Sequence, residues 1–202
     1  MSNQVSGPER AGDEDVALIA QTQAGHLPAF DTLVLRHQQT VFAVALRMLG
    51  DRDEAQDVAQ DAFVQAYRAI AGFRRDAKFS TWLIAITLNL CRNRRRWWAR
   101  RRRVIVASLD DPSDTEEGAF QHEPVDTAPL PDQELERRER RRQLASTLQQ
   151  LSAPEREIIV LRDIQGYSYE EIAGLLRCQV GTVKSRLNRA RLQLRAVLDG
   201  KL

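Results

Sequence analysis

The sequence predicts an all-α protein made of two small helical domains joined by a flexible acidic linker. Three observations carry this prediction. Apolar residues recur at three- and four-residue steps through most of the chain, as they do in amphipathic helices. No segment alternates polar and apolar residues in the manner of a half-buried strand. Four of the seven prolines fall in one acidic stretch without periodicity, and this stretch separates two periodic blocks.

The acidic stretch and its flanks divide the 202 residues into four segments. They are a disordered N-terminal tail (residues 1–13), a first domain (14–103), the acidic linker (104–133) and a second domain (134–202). The tail lacks the apolar stretch of a secretory signal, and no run approaches the roughly 20 apolar residues of a membrane span. Cys91 and Cys178 do not form a Cys-x-x-Cys pair, and two isolated cysteines are typical of a reducing compartment. We therefore expect a cytoplasmic protein.

The net charge of +2 hides a strong segregation of charge along the chain. Residues 92–103 contain eight arginines and no acid, whereas residues 104–136 contain ten acids and no lysine or arginine. Residues 177–201 contain seven basic residues and one acid. Most charge runs are only solvated surface. Two basic blocks on separate predicted helices nevertheless favour a polyanionic partner.

In the first domain, glycines and capping residues separate three predicted helices. Gly50 is placed to end the first helix and Gly72 the second. Asp51 or Asp53 can cap the second helix, and Ser80 can cap the third. The apolar stripes of the three helices are Phe30, Leu33, Val34, Val41, Val44 and Met48; Ala55, Val58, Ala59, Ala62, Phe63, Ala66, Tyr67 and Ile70; and Trp82, Leu83, Ile86 and Leu90.

In the second domain, two capping boxes mark where helices begin. A first helix is predicted from about residue 133 to Leu151. Ser152–Glu155 and Ser168–Glu171 each have the serine and the glutamate of a capping box at the required spacing. A last helix is predicted from about Val180, after a turn of about three residues. A short helix, a short turn and an amphipathic helix form the helix-turn-helix pattern.

The last helix has the composition of a helix that reads DNA. Val183, Leu187 and Ala190 form its apolar inner stripe. Arginine and lysine can contact guanine in the major groove, asparagine can pair with adenine, and serine and threonine can hold phosphates. The alternative is an ordinary amphipathic helix with a basic exposed face, but the caps, the turn and the basic face together favour DNA binding. The outward positions are Thr182, Lys184, Ser185, Arg186, Asn188 and Arg189.

Two further surfaces belong to the first domain. Its third helix combines arginines with aromatic residues, a mixture suited to a single DNA strand because exposed bases stack on rings while guanidinium groups hold the backbone. The alternative places Phe79 and Trp82 in the core. The outer face of the second helix is acidic around an apolar Val64, and is either solvated surface or a protein-docking site. The residues in question on the third helix are Phe79, Trp82, Asn89, Arg92, Arg95, Arg96, Trp97 and Trp98.

Four segments resemble one known family, the bacterial extracytoplasmic-function (ECF) sigma factors of the sigma-70 type. Residues 53–67 look like the family's polymerase-binding helix and residues 79–91, which begin Phe-Ser-Thr-Trp-Leu, like its promoter-melting helix. Residues 167–176 and 180–191 look like its helix-turn-helix, including the segment Gly-Thr-Val-Lys-Ser-Arg-Leu. The resemblance covers nearly the whole chain outside the tail and the linker.

The resemblance implies a function and a set of site residues. The protein would join core RNA polymerase, recognise the −35 and −10 promoter elements, and help to melt the −10 region. A separate anti-sigma factor would hold it inactive until a stress signal arrives. The contacts to the large subunits of the polymerase would come from Asp53, Asp57, Gln60, Asp61 and Val64. Those to the −10 element would come from Arg74, Phe79, Trp82, Asn89, Arg92, Asn93 and Arg96, and those to the −35 element from Thr182, Lys184, Ser185, Arg186, Asn188 and Arg189.

Two other function classes were weighed. A dimeric helix-turn-helix regulator that binds an operator without polymerase would explain the second domain, but it leaves the acidic and the arginine-rich helices without a role. An enzyme is disfavoured because His26, His37 and His122 have no metal-ligand spacing, and because neither a phosphate-binding loop nor a nucleophile elbow is present. We therefore expect no enzymatic activity, no cofactor and no metal.

Overall fold

The computed structural model describes residues 8–108, 143 and 145–200, and these residues contain no strand. The helices are α1 (Pro8–Gln23), α2 (Leu27–Leu49), α3 (Arg52–Ala69), α4 (Phe79–Ser108), α5 (residues 145–150), α6 (Ala153–Ile159), α7 (Tyr169–Leu176) and α8 (Val180–Asp199). A short 3₁₀ turn, Ile70–Gly72, follows α3, and a π-helical turn, Val160–Ile164, follows α6. The all-α class is confirmed. Within the part of the chain that is described, no helix has the length and apolar character needed to cross a membrane.

Helices α2, α3 and α4 pack together as the core of the N-terminal part. Gly50 ends α2 with φ +80°, a left-handed conformation that costs glycine nothing, and its N–H donates to the Leu46 carbonyl at 2.8 Å. Asp51 then caps α3, because its carboxylate accepts from the backbone N–H of Glu54 at 2.8 Å. The sequence predicts both features: Gly50 ends α2, and Asp51, rather than the alternative Asp53, caps α3.

Helix α1 was not predicted, and it corrects the boundary of the N-terminal tail. The expected tail covered residues 1–13, but α1 begins at Pro8; residues 1–7 lie outside the described part of the chain. Buried Ile19 packs α1 into the core. Asp15, 6% exposed, accepts hydrogen bonds from Arg36 at 2.8 Å and from His37 Nε2 at 2.9 Å, which fixes α1 against α2.

Helix α4 differs from the prediction at both ends. It begins at Phe79, so Ser80 lies inside the first turn and does not cap it; the Lys78 carbonyl accepts the first helical bond, from Trp82 N–H at 3.1 Å. At the other end it runs to Ser108, so the first five residues of the predicted linker, 104–108, are helical. The remainder of the predicted linker, residues 109–133, lies outside the described residues, as do residues 134–142 of the second domain.

The helix-turn-helix is built from α7 and α8 as the sequence predicts. In the capping box of α7, Ser168 N–H donates to the Glu171 carboxylate at 2.8 Å, and Glu171 N–H donates to Ser168 Oγ at 3.1 Å. Arg177 ends α7 with φ +50°, and α8 begins at Val180. Before α7, the π-helical turn ends and Gly166, with φ +77°, redirects the chain. The Ser152 N–H likewise donates to Glu155, at 3.2 Å, at the start of α6.

The two domains lie against each other along a seam that the sequence did not predict. Arg156, 4% exposed, donates across the seam to the Met48 carbonyl at 2.7 Å. Its other N–H groups donate to the carbonyls of Leu148, Gln149 and Leu151 on its own side. The Gln149 side chain donates to the Arg47 carbonyl at 3.1 Å. These bonds place a cation at the C-terminal end of α2, where the helix dipole favours positive charge.

Candidate nucleic-acid interface

The acidic outer face of α3 is fully presented to solvent. The opposite face of the helix packs into the core through Ala55, Val58, Ala62 and Ala66. Val64, the apolar member of this face, is 47% exposed. All five residues predicted to bind polymerase are exposed on this one face: Asp53, Asp57, Gln60, Asp61 and Val64.

Arg94 of α4 ties the acidic face of α3 to the arginine-rich helix. Its guanidinium lies 2.9 Å from the Glu54 carboxylate and 3.9 Å from that of Asp57. Asp57 remains mostly exposed, with 64% of its side chain accessible. The acidic surface of α3 and the basic surface of α4 are therefore adjacent, and Arg94 forms its ion pairs at the boundary between them.

An aromatic cluster supports the loop that precedes α4. Phe73 and Trp82 lie 4.8 Å apart between ring centroids, and Phe79 lies 5.7 Å from Trp82. Phe79 also contacts the His37 ring at 5.4 Å. Phe79 is only 3% exposed and Trp82 is half-buried, so in this structure the Phe79 ring is not accessible to a base. Its observed contacts are those of a residue that positions the loop and Trp82.

The loop itself is held at its base by Gln23 of α1. The Gln23 side-chain amide donates to the carbonyls of Ile70 at 2.8 Å and Phe73 at 3.1 Å. Arg75, with φ +64°, donates back to the Gln23 side chain at 3.4 Å. The neighbouring Arg74 is exposed. The helix that the sequence did not predict thus fixes the loop that carries a predicted DNA-binding arginine.

Asn89 and Arg92 are connected to each other and to the second domain. The Arg92 guanidinium donates to Asn89 Oδ1 at 2.8 Å and to Glu157 of α6 at 2.5 Å. Glu157 is 7% exposed, and burial raises the pKa of its carboxyl group, while the positive charge and hydrogen bond of Arg92 oppose that rise. One predicted −10 residue, Arg92, is therefore engaged at the seam, and Asn89 is hydrogen-bonded to it on the same helix.

Asn93 and Arg96 follow on the same helix and are exposed. Asn89, Asn93 and Arg96 are separated by four and three residues, so they share one stripe of α4. Cys91, on the buried side of the helix, has a pKa raised to about 12, chiefly by burial. A thiol with such a pKa is protonated and unreactive at neutral pH. The exposed stripe of Asn89, Asn93 and Arg96 is therefore the face of α4 that can contact a ligand.

Helix α8 presents a polar face over an apolar one. Val183, Leu187 and Ala190 are buried at 2% exposure or less. Among the predicted −35 residues, Lys184, Ser185, Asn188 and Arg189 are exposed, whereas Thr182 and Arg186 are partly buried. The Lys184 ammonium lies 5.6 Å from the centre of the Tyr169 ring of α7. The structure therefore brings all six residues to one helix, four of them with side chains open to solvent.

Sequence reasoning missed the residues of the seam. Arg156 and Glu157 follow directly after a capping box, where charged residues are expected on the surface. Burial lowers the pKa of Arg156 to about 10, with the positive charge of Arg95 adding to the effect. No local signal marks them, because they continue the charged run that begins at Glu155, ahead of Ile158. Only the tertiary contact with α2 reveals that they are buried.

The geometry defines a class of protein: an all-helical, two-domain DNA-binding protein with a helix-turn-helix in its second domain. Two surfaces of DNA-compatible chemistry lie on α4 and α8, and an acidic surface lies on α3. Among the described residues, no group of His, Cys, Asp or Glu side chains is arranged to hold a metal ion.

Comparison with known proteins identifies the family. The family profile "Sigma-70 region 2" matches residues 33–103, and "Sigma-70, region 4" matches residues 141–194. The chain is 37% identical over 179 residues to the RNA polymerase sigma-H factor of Pseudomonas aeruginosa, covering 89% of this chain and 91% of that protein. It is 36% identical over 183 residues to the ECF RNA polymerase sigma-E factor of Escherichia coli K12, covering 88% and 90% respectively.

Solved structures agree with these relatives. CnrH, in complex with the cytosolic domain of CnrY, superposes with a TM-score of 0.67 at 32% identity, covering 94% of this chain and 99% of that one. The sigma factor RpoE of Bartonella quintana, in complex with the anti-sigma factor NepR, superposes with a TM-score of 0.59 at 28% identity, covering 84% and 96%. The chain belongs to the ECF group of the sigma-70 family of RNA polymerase sigma factors.

Proposed function

We propose that this protein directs core RNA polymerase to promoters by binding polymerase through α3, the −10 element through α4 and the −35 element through α8. The observation that carries the proposal is the placement of three chemically distinct surfaces on one small chain. One is acidic and two are basic or polar, and each lies on a segment that resembles the corresponding segment of the family. Catalysis of RNA synthesis belongs to the polymerase, so we assign this chain no enzymatic activity.

The polymerase contact is assigned to the exposed face of α3. Asp57 and Asp61 supply negative charge, and Val64, 47% exposed, supplies an apolar centre. An apolar residue ringed by polar ones is a typical arrangement at a protein interface. Asp53 and Gln60 extend the same face.

The −10 contact is assigned to the loop before α4 and to the exposed stripe of α4. Arg74, Asn89, Asn93 and Arg96 are exposed and can reach a strand. Trp82 lies at the surface of the aromatic cluster, where a base can stack beside it. We give Phe79 a positioning role beneath Trp82. Arg92 becomes available to DNA when its bond to Glu157 breaks.

The −35 contact is assigned to α8 in the major groove. Arg189, Lys184 and Asn188 are exposed and have the donor groups that read guanine and adenine edges. Thr182, Ser185 and Arg186 lie on the same helix and are assigned to phosphate contacts and to orientation.

Regulation is assigned to a separate protein. The solved structures of CnrH and of RpoE contain a bound partner, and in the second case that partner is an anti-sigma factor. We propose that an anti-sigma factor likewise holds this chain inactive until a stress signal releases it. Its action is placed in the cytoplasm, together with RNA polymerase and promoter DNA.

The test is a run-off transcription assay with purified core polymerase and a pool of genomic promoter fragments. The chain is expected to join the core enzyme and to produce discrete transcripts that are absent with core alone. A dimeric operator-binding regulator would instead bind a two-fold symmetric duplex tightly by itself and add no transcripts. That result, obtained with active core enzyme, would refute the proposal.

A further inference from the structure

The C-terminal half of α4 carries an exposed aromatic pair that none of the three proposed contacts uses. Trp97 and Trp98 keep 41% and 39% of their surface in solvent. Their rings meet edge to face with centroids 4.9 Å apart, and Arg101 lies over the Trp97 ring at 5.1 Å. Burial of large aromatic side chains is strongly favourable, so a pair left in solvent indicates a binding surface.

Among the described residues of α4 that flank this pair, the exposed charged side chains are all arginines. Arg96, Arg100, Arg101 and Arg102 are exposed. No acidic side chain of the described residues forms an ion pair with any of these four arginines. Like charges at this density repel one another unless an anion lies alongside. The surface is therefore complementary to a polyanion.

The surface is also continuous with the proposed −10 site. Asn89, Asn93, Arg96 and Arg100 follow at steps of four, three and four residues, so they form one stripe about 16 Å long at a rise of 1.5 Å per residue. Trp97 borders this stripe, four residues after Asn93. A strand held at the beginning of the stripe has Trp97 next to its path.

We propose that Trp97, Trp98 and Arg101, called here the tryptophan platform, bind unpaired bases of a DNA strand and lengthen the −10 strand site along α4. An aromatic ring can stack only on a base whose face is free, and in duplex DNA the neighbouring pairs cover both faces. A duplex would engage the arginines alone and leave both tryptophans unused. The platform therefore selects an unpaired strand over a duplex. Its use at a promoter rests on the proposed function, but its strand binding does not.

The test measures binding of the full chain to a fluorescein-labelled oligothymidylate of twelve nucleotides by fluorescence anisotropy at low salt. The double variant Trp97→Leu/Trp98→Leu keeps apolar side chains but removes the rings. Its affinity for the oligothymidylate should fall about fivefold or more, because each stacked base contributes substantially. Its affinity for a duplex of the same length should change by less than twofold. The matched control is Leu192→Ala on α8, an apolar residue that is 61% exposed and should leave both affinities unaltered.

Salt dependence separates stacking from phosphate binding. The tryptophan variant should keep the wild-type slope of log affinity against log salt, since no phosphate contact is lost. The variant Arg100→Gln/Arg101→Gln should show a shallower slope for strand and duplex alike.

Three outcomes would overturn the platform. The first is an unchanged affinity of the tryptophan variant for the strand, and the second is an equal loss of affinity for strand and duplex. The third is a variant that loses affinity only for phosphatidylglycerol vesicles, which would make the surface a membrane-binding one. Run-off transcription is measured in parallel on the wild type. If the wild type binds the strand through its tryptophans but fails to join polymerase, only the proposed function is refuted. If the wild type transcribes normally and the tryptophan variant binds the strand as well as the wild type does, only the platform is refuted.

Discussion

Single buried charges decide how neighbouring helices are joined in this protein. Asp15 joins α1 to α2 through Arg36 and His37, and Arg156 joins the second domain to the C-terminal end of α2. In each case one side chain satisfies several partners at once, so its loss leaves buried polar groups without a bond. Unsatisfied buried groups cost more than the net value of the bonds that satisfied them.

Asp15→Asn is expected to lower the free energy of unfolding by about 2 kcal/mol at pH 7, because the charge-assisted bond to Arg36 is lost and the bond to His37 is weakened. Burial raises the pKa of the Asp15 carboxyl group, but the hydrogen bonds and charges of His37 and Arg36 outweigh it, and the net pKa lies below its ordinary value. A carboxyl group of lowered pKa stabilises the fold above its unfolded pKa of about 3.9, and that contribution is lost as the pH falls through the folded value.

Urea unfolding of the wild type and Asp15→Asn at pH 7, 5 and 3 measures this effect. The difference between the two proteins should shrink towards pH 3. Asp31→Asn, on the exposed side of α2, is the control and should match the wild type. A difference that does not depend on pH would contradict the ion-pair explanation.

Arg189→Ala tests the reading face of α8 one side chain at a time. The variant should bind its best −35 sequence about 1–3 kcal/mol more weakly if the guanidinium contacts a base edge, and its sequence preference at that position should relax. Competition binding of the holoenzyme to a library of −35 sequences gives both quantities. Arg195→Ala, in the last turns of α8, is the comparison. An unchanged preference would remove Arg189 from the reading set.

Helices and their ends were predicted where local signals are strong. Gly50, Asp51 and the Ser168 capping box act through bonds within a few residues of themselves, and the structure has them as expected. Helix α1 was missed because its attachment depends on Asp15 and Ile19, whose partners are distant in sequence. Ser80 was misassigned because α4 is preceded by Lys78, whose side chain has no hydrogen-bond acceptor and cannot cap a helix, so no local signal marks the boundary.

At the scale of one helix, charge reversal on the acidic face of α3 tests the proposed polymerase contact. Asp57→Lys/Asp61→Lys should abolish association with core polymerase, because reversal of two exposed charges opposes a partner that fits the acidic surface. Helicity should stay at the wild-type level, since both side chains are exposed.

Co-purification with core enzyme and far-ultraviolet circular dichroism measure the two quantities. Asp31→Lys introduces the same change on an exposed position of α2 and should not affect association. If the α3 variant still co-purifies with polymerase in the normal ratio, the docking face lies elsewhere.

The whole molecule differs from the prediction in one respect: the two domains share an interface. The sequence predicts the helices and surfaces of each domain, because amphipathic periodicity and helix caps depend on residues that are close together in the chain. The seam depends on Arg156, Gln149 and Glu157 meeting residues 65 to 108 positions away, and no spacing rule encodes such encounters. The same limit applies to the candidate site, because the sequence does not predict the long-range bond between Arg92 and Glu157.

Arg156→Ala is expected to uncouple the domains. The described core residues of both domains form one apolar cluster, so the wild type should unfold in a single transition. The variant loses the bond to Met48 and should unfold in two transitions, the first at lower urea, with an increased radius of gyration by small-angle scattering.

Arg162→Ala is the matched control, because Arg162 also donates to a carbonyl, that of Tyr167 at 2.7 Å, but within the second domain. It should keep one transition and the wild-type radius. One cooperative transition and an unaltered radius in Arg156→Ala would show that the seam does not hold the domains together.

The position of Arg92 links the shape of the chain to its affinity for promoters. In the proposed −10 contact, Glu157 and a DNA phosphate compete for the guanidinium of Arg92, because the Glu157 carboxylate already occupies one side of it and repels the phosphate. The apparent affinity for a −10 strand is then the intrinsic affinity multiplied by the fraction of molecules in which the pair is broken. A ligand that favours separated domains raises this fraction, and by reciprocity a bound strand makes separation easier. Polymerase can therefore sharpen promoter recognition without touching a single base, by changing how often one arginine is unoccupied.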